Sequence, residues 1–306
     1  MRYFCTLFQQ PSVYPILFKI GPLTVYSFGA MMALAFLTAN YVLSSEARRR
    51  GWDQKHISRF TFIALVGGIV GAKLFSLLED FGDFINDPVA HLFSPSGLTF
   101  YGGFIVATLA IFWYIKKHKL PLKPIIDAIA PAVFLAYGIG RIGCQLAGDG
   151  DYGIPTKSFV GMHYSNGTAK PTNVFRPYFV EHPDKAAEWN YDSLAAINVR
   201  QDDLCIKVTA FDEVVTAHPT PLYELAAAVL CFIWLWSMRK KWQLSEGKLF
   251  GMTVLLMGIE RLLVEFLRIN PEYLGLSQAQ WISVGMILYG SWMLSRVKPA
   301  PAKTRG

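Results

Sequence analysis

The sequence predicts an all-α polytopic membrane protein: seven transmembrane helices, N-terminus outside, C-terminus cytoplasmic, and a small extracytoplasmic head with some β structure. Three observations carry that prediction. Charged residues make up only 17% of the 306-residue chain and hydrophobic ones 53%, whereas a soluble domain carries about 25% charged residues. Seven apolar runs each approach the roughly 20 residues that cross the hydrocarbon core of a bilayer. The basic residues gather in four clusters that share one side of the membrane only if the number of crossings is odd.

The first run, 22–44, is followed by Arg48, Arg49 and Arg50, with Lys55 and Arg59 beyond. The second, 60–79, ends at Glu79 and Asp80. The third, 98–115, is short but contains FIVATLAIFWYI, and Lys116, Lys117, Lys119 and Lys123 follow it. The fourth, 125–146, contains charges, and so does the sixth, 249–268; both rest on the overall pattern more than on hydropathy. The fifth, 221–238, is followed by Arg239, Lys240, Lys241 and Lys248, and the seventh, 279–295, by Arg296, Lys298, Lys303 and Arg305. These clusters hold more than half of the 29 Lys and Arg residues. Short basic loops stay in the cytoplasm, so seven crossings put both the clusters and the C-terminus there.

The chain then divides into 1–146 (an external N-terminal arm and spans one to four), 147–220 (an external head) and 221–306 (spans five to seven and a basic tail). The head is polar, with RPY, EHPDK and RQDD, and its last part, CIKVTAFDEVV, has strand-like β-branched content. Cys5, Cys144, Cys205 and Cys231 show neither metal nor redox spacing, and no disulfide framework is expected. MRYFCTLFQQPSVYP lacks the basic start, apolar run and small-residue site of a cleaved signal peptide. The net charge of +7 is accounted for by the membrane-flanking clusters, and no nucleic-acid partner is expected.

Polar residues in or beside a span are costly in lipid and mark functional candidates. The loop charges, independently of these residues, place several of them near the outer surface. They are Arg141 at the end of the fourth span, His218 and Glu224 at the start of the fifth, and Arg261 and Glu265 in the sixth. Tyr101, Gly102 and Gly103 open the third. Arg261 and Glu265 are four residues apart and share a helix face, which suits both a bundle-locking ion pair and a functional pair. Arg141 begins RIGCQLAGDGDYG. Its glycines, among them Gly143, Gly148, Gly150 and Gly153, let backbone N–H groups approach a ligand, and a guanidinium with exposed amides suits a phosphate. At the outer face of a membrane the abundant phosphates are lipid headgroups.

Five segments in order resemble those of bacterial prolipoprotein diacylglyceryl transferases: IGPLTVYSFG, FYGGF, GRIGCQLAGDGDYG, HPTPLYE, and RLLVEFLR followed by LSQAQWIS. The resemblance implies a multi-pass enzyme of the bacterial inner (cytoplasmic) membrane. It takes phosphatidylglycerol, moves the diacylglyceryl group to the lipobox cysteine thiol of a preprolipoprotein, forms a thioether and releases glycerol-1-phosphate. No metal or diffusible cofactor is implied. Arg141 matches the arginine that grips the lipid phosphate, Arg261 a second essential arginine near the leaving group, and Glu265 its acidic partner. His218, Tyr223 and Glu224 match the element opening the fifth span, and Gly153 matches a glycine of the signature.

The chain also departs from the family pattern. Tyr101 stands where better-known members carry a histidine, giving a Tyr-Gly-Gly variant at 101–103. Tyrosine, with a reference pKa near 10, is a poor base at neutral pH but a good hydrogen-bond donor. The base is therefore open between Tyr101, His218 and water. Cys144 replaces the family's asparagine, Asp149 matches its acidic residue in a longer turn, and Phe28 aligns with its first-span tyrosine, with Tyr26 two residues earlier. Two other readings compete: a lipid or anion transporter without transferase activity, and a scaffold whose ion pairs only lock the bundle. A transporter often shows inverted repeats and midplane polar sites; here there is no convincing repeat and the polar residues cluster at one end.

Overall fold

The computed structural model describes residues 13–21, 23–79, 81–93, 99–189, 191, 211–212 and 214–297. Cys5, Cys205, Asp80 and the tail residues Lys298, Lys303 and Arg305 lie outside this set. The described chain is mostly helical. An exposed hairpin of β1 (Ile16–Ile20) and β2 (Leu23–Tyr26) precedes α1 (Ser27–Arg50) and α2 (Gln54–Glu79). Short helices α3 (Phe81–Asn86) and α4 (Pro88–Phe93) lead to α5 (Phe100–Lys117) and α6 (Leu122–Ala147). The intervening segment holds β3 (Met162–His163), α7 (Pro171–Glu181), α8 (Pro183–Glu188) and β4 (Thr216–Ala217). Then come α9 (Thr220–Met238), α10 (Lys248–Glu265), the hairpin β5 (Glu272–Tyr273) and β6 (Leu276–Ser277), and α11 (Gln278–Ser295).

Among the described residues four helices, α1, α2, α6 and α9, are long and apolar enough to cross a membrane. Their outward faces are apolar as well. On α2, Phe62, Ile69, Val70, Leu74 and Leu78 are each at least half exposed. Soluble monomers rarely leave such continuous apolar faces open, whereas a helix that is apolar all round suits lipid.

Two expected spans are cut back by three residues or more. The first helix starts at Ser27 rather than at residue 22, because the preceding residues pair as β1 and β2. The sixth apolar run leaves the helix after Glu265, where Leu267 and Arg268 turn back on Val264 and Glu265. Among the described residues between α6 and α9 the paired strands are short: Met162 pairs with Ala217 and His163 with Thr216. Of the strand-like stretch 205–215, residues 205–210 and 213 lie outside the described set, and Phe211, Asp212 and Val214 are helical. This segment has its own aromatic core of Tyr152, Tyr164, Phe175 and Phe179.

Packing places α6 at the centre, against α1, α9 and α10. At one end of it the buried Asp127 carboxylate accepts from the Gly247 and Phe250 amides at 2.6 and 2.8 Å. These are orphan donors of the first turn of α10, so a side chain of α6 caps α10. At its other end α6 stops at Gly148, whose φ of +58° is left-handed and whose Cβ, if present, would meet Gly167 Cα at 2.7 Å. Helix α5 lies against α2 through glycines: a Cβ on Gly102 would meet Phe75 Cβ at 2.4 Å, and one on Gly103 the Gly68 carbonyl at 2.7 Å. Small residues permit such close approach of helices in lipid.

Candidate functional site

Charged side chains from α6, α9 and α10 converge where α6 ends and α9 begins. Glu224, on the first turns of α9, has a side chain with 0% exposure. Its Oε2 lies 3.0 Å from Arg141 Nε, and its Oε1 accepts from Arg261 Nη1 at 3.1 Å. One fully buried carboxylate is thus bracketed by guanidinium groups from two other helices. Arg261 Nη2 also lies 2.7 Å from Glu265 Oε2, four residues on along the same helix face. Glu265 Oε1 in turn accepts from Ser277 Oγ and Asn270 Nδ2, each at 2.6 Å. Ser277 is also the N-cap of α11, in a capping box with Gln280. The arginine pair is therefore fastened to the start of the last helix.

Asp151, in the turn after α6, accepts from Arg141 and from Arg268. Burial alone would raise its pKa; the Arg268 and Arg141 guanidiniums outweigh that and hold it down at about 2. Such a carboxyl adds stability that is complete above its ordinary value of about 3.9 and is lost only as pH falls through about 2. Its ion pairs are intact throughout the physiological range. Buried ions need such partners, and Arg268 Nη1 keeps one buried donor without a hydrogen-bond acceptor. Tyr137, one turn before Arg141 on α6, donates to Glu224 Oε1 at 2.9 Å and lies beneath the Arg141 guanidinium, 5.1 Å from ring centroid to Cζ. Arg141 and Arg261 keep 17% and 22% of their side-chain surface open.

The other sequence-derived candidates spread around this centre. Cys144 is buried, with its Sγ 3.6 Å from Arg141 Nη1, and Gly143 packs against Phe28 and Met31 of α1. Asp149 Oδ1 accepts from the Asp151 amide at 3.2 Å. Its carboxyl is pushed up by burial and by the neighbouring Asp151 charge. His218 Nδ1 lies 3.1 Å from the Tyr223 hydroxyl. Tyr26 is half exposed at the end of β2, and Tyr101 is 47% exposed on α5, whose main neighbour is α2. Gly102 and Gly103 lie in the α2–α5 seam. The structure thus joins Arg141, Arg261, Glu224 and Glu265 directly, with Cys144 at the edge; Tyr101 sits on a helix that contributes none of the charged partners just described. Asp151, Arg268 and Tyr137 join the network without having been singled out as site residues. Arg268 carried a visible signal as a further charge on the Arg261 side, and Tyr137 shares the face of Arg141 at a spacing of four.

Cys144 Sγ and the carboxylates of Asp149 and Asp151 lie within 4.8 Å of one another. A divalent cation there would face the Arg141 and Arg268 guanidiniums that already neutralise Asp151, so the donor set does not suit a metal.

Gly153 holds the Asp151 turn against the rest of the site. Its amide donates to the His218 carbonyl at 2.8 Å, and a Cβ would meet the Leu267 carbonyl at 2.4 Å and Thr220 Cγ2 at 2.8 Å. Both obstacles are rigid. Gly153→Ala is expected to destabilise by about 1–3 kcal/mol and to reduce activity beyond what the stability loss explains, because Asp151 moves with the turn. Thermal denaturation and turnover measured side by side check this; an unchanged melting midpoint would contradict the packing.

Comparison with known proteins gives the family. The family model described as prolipoprotein diacylglyceryl transferase matches residues 15–296. The chain belongs to that family. Its relatives include the phosphatidylglycerol–prolipoprotein diacylglyceryl transferase of Clostridium tetani, 30% identical over 92% of this chain and 96% of the relative. Proteins of the same name from Leptospira interrogans and Stenotrophomonas maltophilia are 28% and 29% identical, over 91% and 94% of this chain and 90% and 92% of their own. The chain is accordingly a transferase of lipoprotein biosynthesis with several apolar helices suited to a membrane.

Proposed function

We propose that this transferase moves the diacylglyceryl group of phosphatidylglycerol to the lipobox cysteine of a preprolipoprotein, in the bacterial inner membrane. The observation that carries the site assignment is the sharing of buried Glu224 by Arg141 and Arg261. It keeps two guanidiniums together, oriented and partly open, at one end of the bundle. There they can hold a phosphate as its charge grows on departure of glycerol-1-phosphate. The cysteine thiolate, the reactive form of the thiol, attacks the glycerol carbon that bears the phosphodiester oxygen. A carbon–sulfur bond forms, the carbon–oxygen bond breaks, and the electron pair leaves on the phosphate, where preorganised cations stabilise it.

The membrane arrangement proposed is seven crossings by α1, α2, α5, α6, α9, α10 and α11, which run to 18–26 residues. The N-terminus is outside and the segment between α6 and α9 forms the external head. Support comes from the basic clusters and from the cations stacked on rings beside them: Lys117 on Trp113, Arg239 on Trp236 and Arg296 on Trp292. Cations above aromatic rings suit the headgroup level. The site then lies at the outer face, where lipid enters sideways and the incoming lipobox peptide arrives.

The proton of the thiol goes to His218 in this reading. Burial lowers the His218 pKa, so the imidazole is neutral and able to accept at pH 7. The acid limb of kcat/KM is therefore expected below the ordinary histidine value of about 6.5, and His218→Gln is expected to remove that limb with a loss of about 10²–10⁴-fold. A limb that persists in His218→Gln assigns the proton elsewhere, and Tyr101→Phe separates a donor role for Tyr101 from none. The overall activity is tested by incubating the purified chain with labelled phosphatidylglycerol and a lipobox peptide. Transfer of label to the cysteine supports the reading; movement of lipid across vesicles without peptide modification would favour a transporter.

A further inference from the structure

At the opposite end of the bundle a second group of arginines surrounds one acid. Glu46, on the last turns of α1, is 2% exposed. It accepts from Arg49 Nε at 2.8 Å and Nη2 at 2.5 Å, and from Arg50 Nε at 2.6 Å, while Arg239 Nε from the end of α9 stands 3.4 Å from its other oxygen. Three guanidiniums share a single carboxylate. The next acid in reach of Arg50 is Asp127, whose two oxygens are already taken by the amides that open α10. Arg50 is 5% exposed; its Nη1 donates to the Pro124 carbonyl at 3.3 Å and its Nη2 is buried with no hydrogen-bond partner. Arg49 Nη1 reaches Gln243 Oε1 at 2.8 Å. Arg50 is also braced over Trp52 and Arg239 over Trp236, at 5.0 and 3.7 Å to the centroids. Lys240 and Lys241 follow at once in sequence.

A buried donor without an acceptor, in a cluster where three guanidiniums outnumber the nearby carboxylates Glu46 and Asp127, is costly. Two braced guanidiniums from different helices are also the geometry that takes a phosphate. We propose that Arg50, Arg49 and Arg239 form a second anion site, for a phosphate group held between the ends of α1 and α9. It is separate from the Arg141 site: positions 124 and 141 of α6 are about 26 Å apart along the axis at 1.5 Å per residue. At this basic end of the helices the phosphate belongs to the headgroup of an anionic lipid or is free in solution. Such an anion fastens α1 to α9 and so holds the bundle that carries the catalytic arginines, without touching the reacting atoms.

The test uses the purified full chain carrying Arg141→Ala, so that binding at the outer site is suppressed, with dioleoyl phosphatidate, dioleoyl phosphatidylcholine and inorganic phosphate as probes. Retained lipid is read by native mass spectrometry and stability by the melting midpoint. One phosphatidate is expected to be retained and to raise the midpoint, and phosphatidylcholine is not. Arg50→Gln and Arg239→Gln are each expected to weaken retention about tenfold, the loss of one charge-assisted contact. Arg239 is the more exposed of the two, so its variant stands as a folded control if Arg50→Gln fails to fold. Stabilisation by inorganic phosphate with no lipid retained upholds the site and makes its ligand the free ion. Phosphatidate retention in both variants as strong as in the Arg141→Ala parent, or no stabilisation by either anion, overturns the proposal and leaves the cluster as a cap on the ends of α1 and α9.

Discussion

Arg141→Ala is expected to abolish diacylglyceryl transfer while the chain still inserts into the membrane. Two effects add. The lipid phosphate loses one of its preorganised cations, and a single such donor accounts for about 10²–10³-fold in kcat. Asp151 and Glu224 each lose a partner as well, and breaking a buried pair on one side costs about 3–5 kcal/mol. Arg268 and Arg261 remain on those carboxylates, so the structural cost lies toward the lower figure and the protein stays folded. Arg141→Lys keeps the charge but not the two-pronged donor, and it is expected to recover only part of the rate. Transfer from labelled phosphatidylglycerol to a lipobox peptide is the measurement. A fully active Arg141→Ala protein would remove the phosphate-gripping role altogether.

The second large effect separates chemistry from scaffolding. Arg261 and Glu265 pair with each other, and replacing a buried ion pair by apolar residues of similar size is often neutral or stabilising by about 1–4 kcal/mol. The double variant Arg261→Met/Glu265→Leu is therefore expected to fold, because Glu224 keeps Arg141 and Ser277 keeps its capping bond from the Gln280 amide. If the pair only locked α10, transfer would survive. The expected outcome is a melting midpoint within a few degrees of the parent and no transfer. A folded and fully active double variant would return the pair to a structural role.

The charged residues of this centre stood out in the sequence because an apolar background exposes them. Arg141, Arg261, Glu265 and Glu224 are conspicuous for the energetic reason that makes them worth keeping: a charge in lipid needs a purpose or a partner. Tyr137 did not stand out, since an aromatic ring in an apolar run looks the same whether it faces a headgroup layer or a buried glutamate. Asp151 was hidden by its neighbour. Asp149 and Asp151 occupy one turn, and the left-handed backbone at Gly148 and Gly150 sets which carboxylate faces the arginines. Local composition also misled at the end of the strand-like stretch, where Phe211, Asp212 and Val214 are helical beside the aromatic core of the segment between α6 and α9. Gly102 and Gly103 also pack in the α2–α5 seam, a role that shows only once the neighbouring helix is in place.

Asp127 and Arg141 sit near opposite ends of α6, and each is tied to α10, the first through the amides it caps and the second through Glu224 to Arg261. A joint pinned at both ends acts as a rail: it can slide or tilt as a unit, but it does not part to admit a lipid tail. Fatty chains must stay in the oil while their headgroup reacts. If lipid enters as proposed, its doorway is expected on a flank away from this rail.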